Sequence, residues 1–170
     1  MVIIDSGINN EIFNLNCIKE SIGFSVTKDG TFMENSNEKI TNNHGTIIAL
    51  LIKYIFQEIE LISMNILDEN LYSNGNLLIY SLKKALLYKP DIIHMSLGTK
   101  KWRYRYRLKK LINKAIQEDI VIVSAASNDG KKSYPAYFRN VIGVKSSSNI
   151  YQKKLILLSK IFLLCSRYRS

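Results

Sequence analysis

The chain has 170 residues, 46% of them hydrophobic and 22% charged, usage that fits one globular domain and excludes wholesale disorder. Its net charge of +10 is lopsided: residues 1–99 carry 7 Lys+Arg against 11 Asp+Glu, net −4, and residues 100–170 carry 17 against 3, net +14. The two cysteines, Cys17 and Cys165, lie far apart with no CxxC spacing and no neighbouring histidine, which argues against a zinc site and demands no oxidising compartment.

Val2-Ile3-Ile4 is a buried-strand signal that ends at the turn Asp5-Ser6-Gly7. No basic-then-apolar leader precedes it, so no signal peptide is expected. Residues 9–43 are polar and Asn-rich, punctuated by Gly23 and Gly30, and read as loops plus one short strand over 23–27. Residues 45–56 are almost continuously apolar and too many for an ordinary strand, which predicts a buried helix. Residues 59–67 read as a second strand. Leu77, Leu78, Leu82, Ala85 and Leu86 recur at helical spacing and predict an amphipathic helix over 76–88, stopped before Pro90.

Residues 91–97 form a third strand signal that closes at Gly98. Leu108, Leu111, Ile112, Ala115 and Ile116 mark another helix, with a basic lead-in from Lys100 to Lys110. Residues 120–124 and 141–144 supply a fourth and a fifth strand. Strands alternating with helices predict a three-layer α/β fold, a parallel sheet with helices on both faces. In such sheets functional groups gather at the carboxyl ends of the strands. Asp5, Ser96-Leu97-Gly98 and residues 125–128 all fall there, and His44 opens the apolar helix. Late in the chain, the apolar stretch 155–165 is interrupted by Lys160 and is too short to span a bilayer.

Each candidate has an ordinary reading when taken alone. Asp5 suits a turn or a helix cap, His44 a polar helix start, and Asn128 a turn residue before glycine. His94, inside a strand, reads as a satisfied core histidine. The run Lys100-Lys101-Trp102-Arg103-Tyr104-Arg105-Tyr106-Arg107 reads first as a solvated face, next as a surface for an acidic peptide, and last as a nucleic-acid surface.

In combination the pieces resemble the subtilisin-like serine peptidase family (subtilase, peptidase S8). The likeness runs in order through residues 2–9 for an aspartate strand and His44-Gly45-Thr46 for a histidine helix. It continues through 91–98 for a substrate-binding strand and 121–130 for an oxyanion segment, ending in Tyr134-Pro135-Ala136 and residues 140–144. The resemblance implies peptide-bond hydrolysis by an Asp/His/Ser triad. Asp5 would orient and charge-stabilise the imidazole, and His44 would serve as general base and then acid. Asn128 would donate to the oxyanion. Ser96, Leu97 and Gly98 would bind a peptide or protein substrate in extended conformation.

The departures shape the expected function. The family's nucleophile sits in a Gly-Thr-Ser-type turn beyond the oxyanion segment, yet no glycine follows Gly143 and the only Gly-x-Ser is Gly23-Phe24-Ser25. Ser146, Ser147 and Ser148 lack the turn glycine. Losing the serine costs on the order of 10⁶ in turnover in subtilisin. The expectation is therefore a truncated, inactive form with an α/β sheet incomplete at its carboxyl end. The alternatives are a non-catalytic peptide-binding module, or half of a split peptidase completed by a second chain supplying the serine.

Residues 1–145 are assigned to the partial peptidase domain and 146–170 to a divergent basic and apolar tail. That tail is read as out-of-register sequence, or else as a short amphipathic helix for a membrane surface or partner. A cytoplasmic, bacterial-type protein is expected. No calcium loop matches, so no metal and no cofactor is expected, and no nucleic-acid partner.

Overall fold

The computed structural model describes residues 1–9, 16–36 and 40–145. Among the described residues seven strands and three α-helices follow one another: β1 (Val2–Asp5), β2 (Ile18–Val26), β3 (Phe32–Asn35), α1 (His44–Ile55), β4 (Leu61–Asn65), α2 (Gly75–Leu87) and β5 (Ile92–Met95). A 3-10 turn (Trp102–Tyr104) then leads directly into α3 (Arg105–Gln117), followed by β6 (Val121–Ala125) and β7 (Ile142–Val144). One sheet holds all seven strands in the order β3-β2-β4-β1-β5-β6-β7. Every pairing is parallel except that of β2 with β3. The three-layer parallel sheet expected from the sequence is present, with an antiparallel strand added at one edge.

Alternation along β1 divides the core. Val2 and Ile4 face the larger apolar cluster with Met64, Leu78, Leu82, Ile93, Leu108 and Ile112, on the side that α2 and α3 cover. Ile3 faces the opposite side with Ala49, Ile52 and Leu61, under α1. Because side chains switch faces at every residue of a strand, Asp5 follows Ile3 to the α1 side. Burying a Leu or Ile of this kind contributes about 1.5–3 kcal/mol each. The all-apolar run of β1 thus reads as a strand covered on both faces.

Three expectations change. Residues 18–35 are not mainly loop: β2 is nine residues long and β3 pairs with it from Gly23↔Asn35 to Val26↔Phe32. Lys19, Glu20 and Ser21 of β2 are exposed, so backbone pairing with β4 holds that part of the strand and no apolar pattern announces it. The outer edge is fastened by side chains instead: Phe32 stacks on Tyr80 at 4.6 Å, and Glu34 binds both the Tyr80 hydroxyl and the Lys84 ammonium at 2.7 Å.

Second, α1 is not buried all round. Gly45, Thr46, Ala49 and Ile52 pack inward, whereas Ile47, Leu51 and Tyr54 stay exposed, because only one side of the helix meets the sheet. Third, the basic lead-in is itself structured, since residues 105–110 already belong to α3. The tail, with Ser146 to Ser148, Cys165 and the stretch read as an amphipathic helix, lies outside the described residues.

Candidate active site

Asp5 ends the central strand, with β4 on one flank and β5 on the other. Its carboxylate is fully buried, and Oδ1 accepts a hydrogen bond from the Ser6 backbone N–H at 2.7 Å. His44 Nδ1 stands 2.8 Å from Oδ1 and 3.0 Å from Oδ2. A carboxylate accepts and does not donate, so this contact places the imidazole proton on Nδ1 and leaves Nε2 with a free lone pair. The His44 side chain is 43% exposed, so the far side of the ring is open.

Local sequence explains how His44 arrives there. Asn42 Oδ1 accepts from the His44 backbone N–H at 2.8 Å, standing in for the missing turn of helix. Ser6 Oγ donates to the Asn42 carbonyl at 3.1 Å and accepts from the Gly45 N–H at 3.0 Å. Thr46 Oγ1 accepts from the Asn9 N–H at 2.9 Å. These bonds pin the start of α1 to the loop after β1. Gly45 permits the approach: a Cβ there would lie 2.4 Å from the Gly7 carbonyl oxygen and 3.2 Å from Asp5 Cβ. The amino end of α1 also carries positive partial charge, which favours the buried carboxylate beside it.

Beyond the carboxyl ends of β5 and β6 lies a cleft of about 540 Å³. Residues 71–75 form one wall, Ser96, Leu97, Gly98, Thr99 and Lys100 another, and residues 125–129 complete it. Asn128 is among the lining residues, so the sequence-selected Ser96, Leu97, Gly98 and Asn128 share one cavity. The segment after β5 is held by an exchange of backbone bonds between Thr99 and Tyr134, both 2.8 Å, and Gly98 fits where a Cβ would sit 2.8 Å from the Tyr134 carbonyl oxygen.

Below it, Ser127 N–H donates to Ser133 Oγ at 3.0 Å. Among the described residues two charged ones line the cleft, and they pair: Lys100 Nζ lies 2.7 Å from Asp129 Oδ2. Lys100, then the Ser127 hydroxyl and the Lys131 N–H, hold the Asp129 carboxyl well below its ordinary range.

His94 belongs to this region as well. It sits beside Ile3 in the sheet, and its Nε2 is 3.1 Å from Ser96 Oγ, linking β5 to the cleft wall. Burial pushes its pKa down; the Asp5 charge opposes that shift and His44 adds to it. The reading as a satisfied histidine holds, with the addition that the ring feels both members of the Asp5–His44 pair. Sequence reasoning missed the wall at 71–75, the anchors Ser6 and Asn42, and the Lys100–Asp129 pair. The polar stretch Tyr72-Ser73-Asn74 before a helix was the available signal for the wall.

Residues 2–161 match the family model for peptidase S8, the subtilase family. This chain belongs to the subtilase family. The match runs past residue 145 into the stretch read from sequence as tail. Over 125 residues this subtilase chain is 29% identical to the minor extracellular protease Epr of Bacillus subtilis, covering 66% of this chain and 19% of Epr. It is 27% identical to subtilisin E of the same species over 161 residues, 88% of this chain and 41% of that protein.

Among solved structures, a lanthipeptide protease superposes with a TM-score of 0.66 at 20% identity, over 87% of this chain and 48% of that one. Sphericase gives 0.64 at 22% identity, over 84% and 52%. The chain thus spans about half the length of these structural relatives and less of the curated ones. Among the described residues, no cluster of three His, Cys, Asp or Glu side chains is placed to hold a metal, and no helix is long and apolar enough to cross a membrane.

Proposed function

We propose that this chain supplies the acid–base half and the peptide cleft of a subtilisin-like serine endopeptidase, and that the attacking serine comes from outside its 170 residues. The observation that carries the reading is the buried Asp5 carboxylate bonded to His44 Nδ1 at 2.8 Å, with the opposite side of the ring open. In the reaction, His44 Nε2 removes the proton of a serine hydroxyl as that oxygen attacks the scissile carbonyl. The imidazolium so formed is stabilised by Asp5 and then gives its proton to the leaving amine. Asn128 in the cleft donates its side-chain amide to the oxyanion; removing such a donor in subtilisin costs about 2.7–4 kcal/mol. The substrate strand lies along Ser96, Leu97 and Gly98, bound through its backbone.

No Gly-x-Ser turn follows Asn128 in the sequence, which supports assigning the nucleophile to another polypeptide segment and an inactive state to the chain alone. A fluorophosphonate probe tests this. The 170-residue chain is expected to stay unlabelled by itself and to assist labelling of an added serine-bearing fragment. Labelling of this chain alone overturns the proposal. A second reading is a peptide-binding module without catalysis, supported by the cleft that Ser96, Leu97, Gly98 and Asn128 line together. Peptide binding with no labelling in any combination selects it.

A further inference from the structure

Eight cations stand between Lys100 and Lys114, and no acidic residue occurs until Glu118. Among the described residues, carboxylates pair with two of them: Lys100 with Asp129, and Lys114 with Glu118 at 3.7 Å. Lys101, Arg103, Arg107, Lys109 and Lys110 are exposed. Arg103 bonds the Tyr104 hydroxyl and Arg107 bonds Asn76 Oδ1 at 2.9 Å, neutral partners that orient the guanidinium groups without cancelling their charge. Arg105 lies over the Trp102 ring at 4.5 Å, and Trp102 itself is 70% exposed.

The position of this cluster gives it a purpose. A Cβ on Gly75, which lines the cleft, would strike the Tyr104 ring of the 3-10 turn. Arg107 reaches Asn76, the next residue of α2. Lys100 is both the last residue of the opposite wall and the first of the basic run. The basic turn therefore abuts both walls of the cleft at one border. Inside, Lys100 and Asp129 neutralise each other, so the net field at that border comes from the cations that have no carboxylate partner among the described residues.

We propose that this basic border selects peptides carrying carboxylate side chains in the segment that runs from the cleft over residues 101–110. The inference rests on the cleft being a peptide site, as proposed above, and adds the chemical class of what it takes. Arginines oriented by neutral partners, as Arg103 and Arg107 are, or stacked on an exposed ring, as Arg105 is on Trp102, are suited to Asp and Glu side chains on an extended chain. Each exposed ion pair strengthens binding by about 1.5- to 5-fold, so three of them give about tenfold. Screening sets in beyond about 8 Å at physiological salt, so the preference is salt-sensitive.

Fluorescence anisotropy with the 170-residue chain and three labelled ten-residue peptides, matched except for Glu, Gln or Lys at alternate positions, tests this. The Glu peptide is expected to bind about tenfold more tightly than the Gln peptide in 50 mM salt, with the difference lost in 0.5 M salt. The triple variant Lys101→Gln, Arg107→Gln, Lys110→Gln is expected to bring the Glu peptide to the Gln peptide's affinity and leave the Gln peptide unchanged. Lys110→Glu alone, a single change on an exposed helix face, keeps the test open if the triple variant fails to fold, and is expected to weaken only the Glu peptide. Equal affinities for the Glu and Gln peptides overturn the proposal, as does tighter binding of a twelve-residue oligothymidylate than of the Glu peptide. The Gln peptide's own affinity reports the cleft, so its absence with Glu binding retained defeats the peptide-cleft reading and leaves the basic border standing.

Discussion

Replacing Gly45 by alanine sets two known effects against each other. Alanine gains up to about 1 kcal/mol over glycine in a helix interior, and less in a first turn such as this one. Against this, the new Cβ would lie 2.4 Å from the Gly7 carbonyl oxygen and 3.2 Å from Asp5 Cβ. An ordinary carbon–oxygen contact is about 3.3–3.6 Å, so relief requires about 1 Å of movement. The obstructing oxygen is main chain, in a loop tied to α1 through Ser6 and Thr46, so no side chain can swing away.

Forced repacking of this kind costs about 1–3 kcal/mol, which exceeds the propensity gain. Withdrawing α1 by that distance also takes His44 Nδ1, now 2.8 Å from Asp5 Oδ1, beyond hydrogen-bond range. A net loss of about 1–2 kcal/mol lowers the melting temperature of a chain this size by about 2–8 °C. Circular dichroism on heating measures the first effect. Proton NMR measures the second, as weakening of the low-field resonance of the carboxylate-bonded imidazole N–H. A variant that melts at or above the parent temperature with that resonance intact refutes the account of Gly45.

Two further outcomes follow from the same site. Asp5→Ala leaves the buried Ser6 N–H and the half-buried His44 Nδ1–H without their acceptor; a loss of about 1.5–3 kcal/mol in urea unfolding is expected, together with disappearance of the low-field resonance, and unchanged stability would contradict it. His94 has a folded-state pKa pushed below its unfolded value, so the unfolded chain binds the extra proton first and stability falls as pH drops through about 6.5, levelling off below the folded pKa. That slope cannot exceed about 1.4 kcal/mol per pH unit. His94→Gln, which keeps a partner for Ser96, is expected to flatten the decline between pH 7.5 and 5.5 by comparison with the parent; parallel curves would show that burial of His94, beside Asp5 and His44, does not govern it.

The legible parts of this molecule share a physical cause. Asp5, Ser96 and Asn128 follow or interrupt apolar runs and His44 precedes one, and a polar group at such a boundary marks where a buried element begins or ends. The parallel core was legible for the same reason, since β1, β4, β5 and β6 are short apolar runs divided by helical periodicity. Strand β2 was legible only in its second half, within the strand expected over 23–27; its first half was not, because Lys19, Glu20 and Ser21 carry no apolar pattern and that stretch pairs through the backbone. The outward face of α1 was misread because an unbroken apolar run states which residues avoid water but not from how many directions they are covered. Pairs such as Lys100–Asp129, twenty-nine residues apart, arise only when the chain brings β5 and β6 together.

The place of β1 in the sheet bears on how the molecule assembles. Its lateral partners are β4 and β5, so Val2 must find Ile62 on one side and Ile93 on the other. Pairings this distant along the chain are slow to form, because the intervening segment must be closed before any contact rewards it. Asp5 is thus the earliest-synthesised member of the cleft and dyad, yet it is enclosed only after about ninety more residues have emerged. Until then the carboxylate remains hydrated, so the buried setting of the Asp5–His44 pair is a late acquisition of this chain.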